Sequence, residues 1–323
     1  MKKLIIIIIP LLLIVSCVYN TVADASYSTN FGFTAELDEP SSRGQLKRVS
    51  PNESFVGYRF CISPDKKNIV YSGYQAGGGD KLYQLWKIPI TGGASTKITS
   101  GGSNYCISPS FTSDGKYLVY ESAGKLWKVR QDGAGGKTLI PGSGTGYDIT
   151  PQLSSQNKLV FCSVSQVQTY QNLLKYFIWT SNLNGGELTQ IREGKNPLWS
   201  PDGKQIIFDH AGEIWLINAD GTELQQLTNS SEVIESIPSF SDNGEYIVFV
   251  SNETKTGNLS LRGSNWNIWS MKTDGSEKQQ ITELSSWDSW PLYSGNSIYF
   301  LSGRATKKKQ NTQRIWKLQL HNE

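Results

Sequence analysis

The stretch Pro197-Leu198-Trp199-Ser200-Pro201-Asp202-Gly203-Lys204, running into Gln205-Ile206-Ile207-Phe208, decides the fold. The same pattern occurs as Pro109-Ser110-Phe111-Thr112-Ser113-Asp114-Gly115-Lys116 before Tyr117-Leu118-Val119-Tyr120. It occurs again as Pro238-Ser239-Phe240-Ser241-Asp242-Asn243-Gly244-Glu245 before Tyr246-Ile247-Val248-Phe249. Weaker copies begin at Phe60, Pro151 and Pro291, the last two a residue short after the turn. Each copy reads as an apolar strand, a tight turn and a second strand. Glycine in the turn accepts positive φ, and Asp or Asn bonds its own backbone.

A second signature follows each copy. Trp86, Trp127, Trp179, Trp215, Trp269 and Trp316 each lie in a short apolar run such as Glu213-Ile214-Trp215-Leu216-Ile217. Most of these runs enter a further turn (Asp132-Gly133, Asn184-Gly185, Asp220-Gly221, Asp274-Gly275) and then a short fourth strand, as in Gln226-Leu227-Thr228. A four-stranded antiparallel sheet with two apolar faces is buried only between neighbouring sheets, and radial packing of such sheets is a β-propeller. Six units over residues 45–323 come to about 46 residues each, near the roughly 40–45 typical of propeller repeats. The last copy stops after its third strand, and an orphan strand, Gln45-Leu46-Lys47-Arg48-Val49, precedes the first. The expectation is an all-β, six-bladed propeller closed by that N-terminal strand, which leaves no sheet edge open. The blade tryptophans are expected to be buried between sheets.

Upstream, Lys2 and Lys3 precede an apolar run from Leu4 to Val15. The run is too short for a spanning helix, which needs about 20 apolar residues, and reads as a signal peptide. Its end, Ile14-Val15-Ser16-Cys17, resembles the bacterial lipobox, which implies cleavage before Cys17 and acylation of that cysteine. The expected organisation is a signal peptide at 1–16, a lipid-anchored tether at 17–44 and the propeller at 45–323. The resemblance also implies an exported protein held on a bacterial membrane, the outer membrane facing the periplasm in a Gram-negative cell. Loss of Lys2 and Lys3 lowers the formal charge from +3 to +1, which argues against a nucleic-acid partner. Cys61, Cys106 and Cys162 have no metal or redox spacing and read as small buried hydrophobes.

The Pro-x-aromatic-Ser-Pro-Asp-Gly-Lys units resemble the TolB-type, WD-like propeller repeats, over almost all of residues 45–323. TolB proteins carry an additional N-terminal α/β domain. Residues 17–44 read as a tether instead, so the resemblance is expected to extend to the propeller alone.

Candidate chemistry is sparse. The chain has two histidines, His210 and His321, and no G-x-S-x-G nucleophile elbow. Asp209-His210 could hold a metal or act in acid–base work, or could be a plain turn. Three positions before the motif proline stand Asp148, Glu235 and Asp288, flanked by Tyr147, Trp287 and Trp290. These acids are expected at one channel mouth, where they could bind a cation such as Ca²⁺ or a basic group, or could simply cap strand ends. Long loops at 73–80, 164–175, 252–264 and 303–313 are expected on the same face, the last carrying Arg304, Lys307, Lys308 and Lys309. The functional expectation is a monomeric, noncatalytic envelope lipoprotein, not an enzyme, that binds a protein or glycan. The alternative is an envelope polysaccharide hydrolase or lyase on a propeller scaffold.

Overall fold

The structure, a computed structural model, describes residues 40–41, 44–51, 54–75, 82–100, 104–166, 174–230, 232–253, 266–283, 287–303 and 313–320. No helix occurs among them, and every regular element is a strand. The strands form six small antiparallel sheets. Blade one is Ser54–Ile62, Asn68–Gln75, Gln84–Pro89 and Thr96–Lys97, in order from the axis outward. Blades two to five repeat this order, and their first strands are Ile107–Phe111, Tyr147–Leu153, Lys195–Trp199 and Glu235–Phe240. Blade six takes Asp288–Tyr293, Ser297–Ser302 and Arg314–Leu320 from the C-terminus and Gly44–Arg48 from the N-terminus.

The closing strand pairs as the sequence implied, with Arg48 opposite Trp316 and Leu46 opposite Leu318. The Val49 amide extends the ladder to the Ile315 carbonyl at 2.8 Å. Each first strand touches the next around the ring, and the sixth touches the first. Backbone bonds stitch blade to blade. The amides of Cys106, Asp148, Gly194, Glu235 and Asp288 donate to carbonyls of Tyr83, Gly124, Tyr176, Gly212 and Trp266 in the preceding blade.

The core repeats sixfold. Tyr71, Tyr120, Phe161, Phe208, Phe249 and Phe300, at one position on the six second strands, are all fully buried. Each is paired across the sheet with its blade tryptophan, as Phe208 is with Trp215. The tryptophans are less uniform than expected. Trp269 and Trp316 are buried, but Trp86, Trp127, Trp179 and Trp215 are half-buried. The third strand lies nearer the rim, where cationic side chains cover a ring face. Lys137 lies 4.5 Å from the Trp127 ring and Arg192 lies 5.5 Å from that of Trp215.

The Pro-Asp-Gly turns are structural. Ser200 Oγ donates to Asp202 Oδ1 at 2.6 Å, the same oxygen accepts the Lys204 amide at 3.1 Å, and Gly203 sits at φ +72°. Ser63 with Asp65, Thr112 with Asp114 and Ser241 with Asn243 repeat the arrangement. The three described cysteines are free thiols.

Candidate functional site

Each first strand bulges as it passes the axis. The register slips between Ile149 and Gln152, and at the matching points of the other five first strands. In five blades the residue before the motif proline has a left-handed backbone: Ser108, Thr150, Asn196, Ile237 and Trp290, all at φ of 51–56°. A β-bulge holding a non-glycine residue there is strained, and such devices re-aim side chains. The sixth copy has Arg59 at this position, with no proline after it.

Arg59 fills the axis. It is buried, and its Nη2 donates to Asn196 Oδ1 at 3.0 Å. Asn196 belongs to blade four, the blade opposite in a ring of six, so the pair forms a strut across the channel. The guanidinium also lies 4.3 Å from the Trp290 ring of blade six. Asn196 Nδ2 passes the network on to Asp209 Oδ1 at 2.8 Å, which also accepts the Ile237 amide at 3.2 Å.

Two further carboxyls stand beside the strut. Glu121 lies next to the end of the second strand of blade two, Tyr117–Ser122, and is 7% exposed. Burial pushes its pKa up to about 8, and neighbouring Asp148 adds to the rise, while the Thr150 amide and the Arg59 charge oppose it. Glu121 is therefore largely protonated at neutral pH, as a general acid must be. Asp148 is buried at the start of the first strand of blade three, opposite Ser163. It accepts Ser143 Oγ at 2.6 Å and the Ser143 amide at 3.1 Å, yet burial still raises its pKa. Burial raises Asp209 likewise.

Beside this group lies a tyrosine cluster. Tyr58, next to Arg59 in the first strand, meets Tyr83 edge-on at 5.1 Å between ring centroids. Tyr74 and Tyr105 pack on Tyr83 at 5.6 and 5.5 Å. Gly57 permits the approach, since a Cβ there would lie 1.9 Å from the Tyr83 ring. Tyr105 is 38% exposed, so the cluster reaches the surface. Burial, followed by the charges of Tyr105 and Glu121, raises the Tyr58 pKa, which places that phenol within electrostatic reach of Glu121.

The residues singled out from sequence divide. Asp148 joins the axial group and Trp290 stacks on the strut. Glu235 is fully buried and ion-pairs with Lys278, which also holds Glu253 Oε2 at 2.6 Å. Burial outweighs that pairing and raises the Glu235 pKa. Asp288 is fully buried at its strand start, and Trp287 packs half-buried against the core between blades five and six. Among the described residues no three His, Cys, Asp or Glu side chains stand together as a cation site. Asp209 and His210 have different surroundings: Asp209 joins the axial network, while the His210 carbonyl accepts the Trp215 indole in the turn. Cys17, His321 and the basic run at 304–309 lie outside the described residues.

Sequence reasoning missed Arg59, Glu121 and Asn196. Their signal was positional. Arg59 breaks the first copy of the motif, and Glu121 and Asp209 are acids where the other second strands carry Ser72, Cys162, Val250 and Leu301.

No family model matches the chain. An uncharacterized protein of Agrobacterium fabrum is 25% identical over 201 residues, and the match covers 60% of this chain and 64% of that protein. Among solved structures, an oligogalacturonate lyase from Vibrio parahaemolyticus superposes with a TM-score of 0.59 at 13% identity, over 90% of this chain and 97% of its own. A gluconolactonase from Xanthomonas campestris gives 0.60 at 10%, over 91% and 99%. A protein assigned as TolB from Agrobacterium tumefaciens gives 0.55 at 21%, over 69% and 79%. At these identities the likeness establishes the fold, a six-bladed propeller. It also corrects one expectation. The sequence led us to expect a noncatalytic protein, but the same ring serves a lyase and a lactonase. That expectation therefore does not stand.

Proposed function

We propose that the chain is a carbohydrate-active enzyme of the cell envelope that cleaves polysaccharide at the channel mouth beside Glu121, held at the membrane through a lipidated Cys17. The observation that carries this reading is the axial group: a carboxyl with its pKa at about 8, a second carboxyl within its field and a fixed guanidinium. Glu121 donates its proton to the departing glycosidic oxygen. Asp148, oriented by its two bonds from Ser143, serves as the carboxylate that activates water or stabilises the developing positive charge. Arg59 orients an anionic substituent of the sugar. The tyrosine cluster gives rings on which a sugar chain lies as it leaves the channel. The sugar-processing neighbours are consistent with this use of the scaffold.

The test is incubation of the purified chain with a panel of acidic and neutral envelope polysaccharides. New reducing ends alone indicate hydrolysis, and an ultraviolet-absorbing unsaturated sugar indicates elimination. Glu121→Gln and Asp148→Asn should abolish either signal. No cleavage of any polymer, or full activity in Glu121→Gln, overturns the reading.

A further inference from the structure

The near-neutral formal charge of the chain conceals a segregation around the ring. Among the described residues of blades six, one and two, 14 Lys and Arg stand against five Asp and Glu. Among those of blades three, four and five and their connections, seven Lys and Arg stand against 16 Asp and Glu. Each half is continuous, because every blade touches the next and the sixth touches the first.

The positive excess lies at the rim. The third and outer strands of the basic half are Arg314–Leu320 with Gly44–Arg48, Gln84–Pro89 with Thr96–Lys97, and Lys125–Arg130 with Lys137–Ile140. They carry ten Lys and Arg and no Asp or Glu. The corresponding strands of the other half carry three Lys and Arg and two Glu. The partners differ as well. In the acidic half Lys175 pairs with Glu193 at 2.8 Å and Lys278 with Glu253 at 2.6 Å. In the basic half Lys128, Lys137 and Lys317 lie over the rings of Tyr117, Trp127 and Tyr299, at 5.5, 4.5 and 6.0 Å. A ring face holds an ammonium in place without neutralising it. Lys47 and Lys125 are exposed. The three blades thus present a cationic arc along half the circumference.

The rim of a ring is convex, so the arc suits an extended anionic surface and not a small ligand, which needs a concave site. Where the chain enters the ring says which surface. The first described strand, Pro40–Ser41, pairs with Gly44 and Gln45 on the outer edge of blade six, within the arc. Only 22 residues separate Cys17 from Pro40, a reach of at most about 80 Å. A lipid on Cys17 therefore tethers the propeller by its basic edge.

We infer that the rim of blades six, one and two docks on the phosphate headgroups of an anionic membrane. The choice of a membrane as partner rests on the reading of Cys17 as the anchor. The propeller then stands on edge, with its axis along the membrane plane and the mouth beside Glu121 open to polymer.

The test uses a chain of residues 17–323 with Cys17→Ser, which keeps every described strand and carries no lipid. Its outcome is thus separate from acylation and from cleavage. Sedimentation with vesicles of mixed phosphatidylglycerol and phosphatidylcholine should show binding at least about tenfold tighter than with phosphatidylcholine alone. Raising the salt from about 0.1 M to about 1 M shortens the screening length from about 10 Å to about 3 Å and should abolish the difference. Lys47→Gln, Lys125→Gln and Lys137→Gln together should weaken binding to the anionic vesicles at least about tenfold. Lys158→Gln, Lys204→Gln and Lys272→Gln together remove the same charge from the other half and should change it less than about twofold. Equal binding to both kinds of vesicle, or equal losses in the two triple variants, overturns the proposal. So does tighter binding of soluble alginate, compared at equal anionic charge, which would assign the arc to an acidic glycan.

Discussion

Replacing Glu121 with glutamine keeps the length of the side chain and an oxygen to accept the Thr150 amide, and deletes one titration. In the folded protein this carboxyl ionises at about 8, against 4.5 for an ordinary glutamate. Below the lower value both folded and unfolded chains carry the proton. Between the two values the unfolded chain has released it and the folded chain has not. The unfolded state then binds fewer protons, and stability falls as pH rises, levelling off above the folded value. Neutral pH lies about 2.5 units above the unfolded value, and at 1.36 kcal/mol per unit the loss there is about 3 kcal/mol. This is a ceiling, because relaxation and water entry reduce desolvation costs. Asp148 and Asp209, also raised by burial, add slopes of the same sign, but these are present in both proteins and cancel in the comparison. Urea unfolding of wild type and Glu121→Gln, stepped from about pH 4.5 to pH 8, gives the difference. The variant should gain on wild type by up to about 3 kcal/mol between pH 4.5 and pH 7. Parallel curves would mean that Glu121 ionises normally and that the acid role assigned to it is wrong.

Other outcomes follow from the packing. Phe208→Ala should cost about 3–5 kcal/mol, and Trp215→Ala less, because Phe208 is fully buried and Trp215 is not; equal losses in denaturant titrations would contradict this. Deleting residues 44–48 should lower the melting temperature and promote association by exposing the edge of Arg314–Leu320, which light scattering would detect. Cys17→Ala should move the protein out of the membrane fraction, and the wild type should carry acyl mass on Cys17; a variant that stays with membranes, with no acyl mass on the wild type, would exclude the anchor.

The fold was legible because it is written six times. A strand, a polar turn and a tryptophan strand recur in the same order in every copy, and the missing strand of the last copy matches the orphan before the first. The half-exposed tryptophans were not legible, because burial there depends on more than how far the outer strand reaches. The two-residue outer strands Thr96–Lys97 and Gln225–Gln226 leave Trp86 and Trp215 half-buried, yet Trp269 is buried beside the equally short Gln279–Gln280, so the surroundings of each rim decide. The site was legible only in part. Asp148 was reached by counting from the motif proline, but the same count reached Glu235, whose side chain meets Lys278. Register along a strand fixes depth and not direction, and the bulge that redirects the neighbouring side chains is visible only in the register slip.

The axis differs from the rest of the fold in how its six copies vary. At the second-strand core position they agree closely: two tyrosines and four phenylalanines. At the bulge they are Arg59, Ser108, Thr150, Asn196, Ile237 and Trp290. Crowding explains some of this, since six identical large side chains cannot meet on one line and six identical charges would repel. It does not explain the acids. Glu121, Asp148 and Asp209 are buried, Glu121 within the field of Arg59 and Asp209 linked to it through Asn196, and burial raises the pKa of each. Ser72, Cys162, Val250 and Leu301 stand at the Glu121 and Asp209 position in the other four blades, so the scaffold accommodates a neutral residue there. Buried ionisable groups of this kind are weak evidence for stability, and a stabilising substitution at a functional site commonly removes activity. If Glu121→Gln is more stable at neutral pH and no longer cleaves polysaccharide, the cost of burying that carboxyl is the cost of its chemistry.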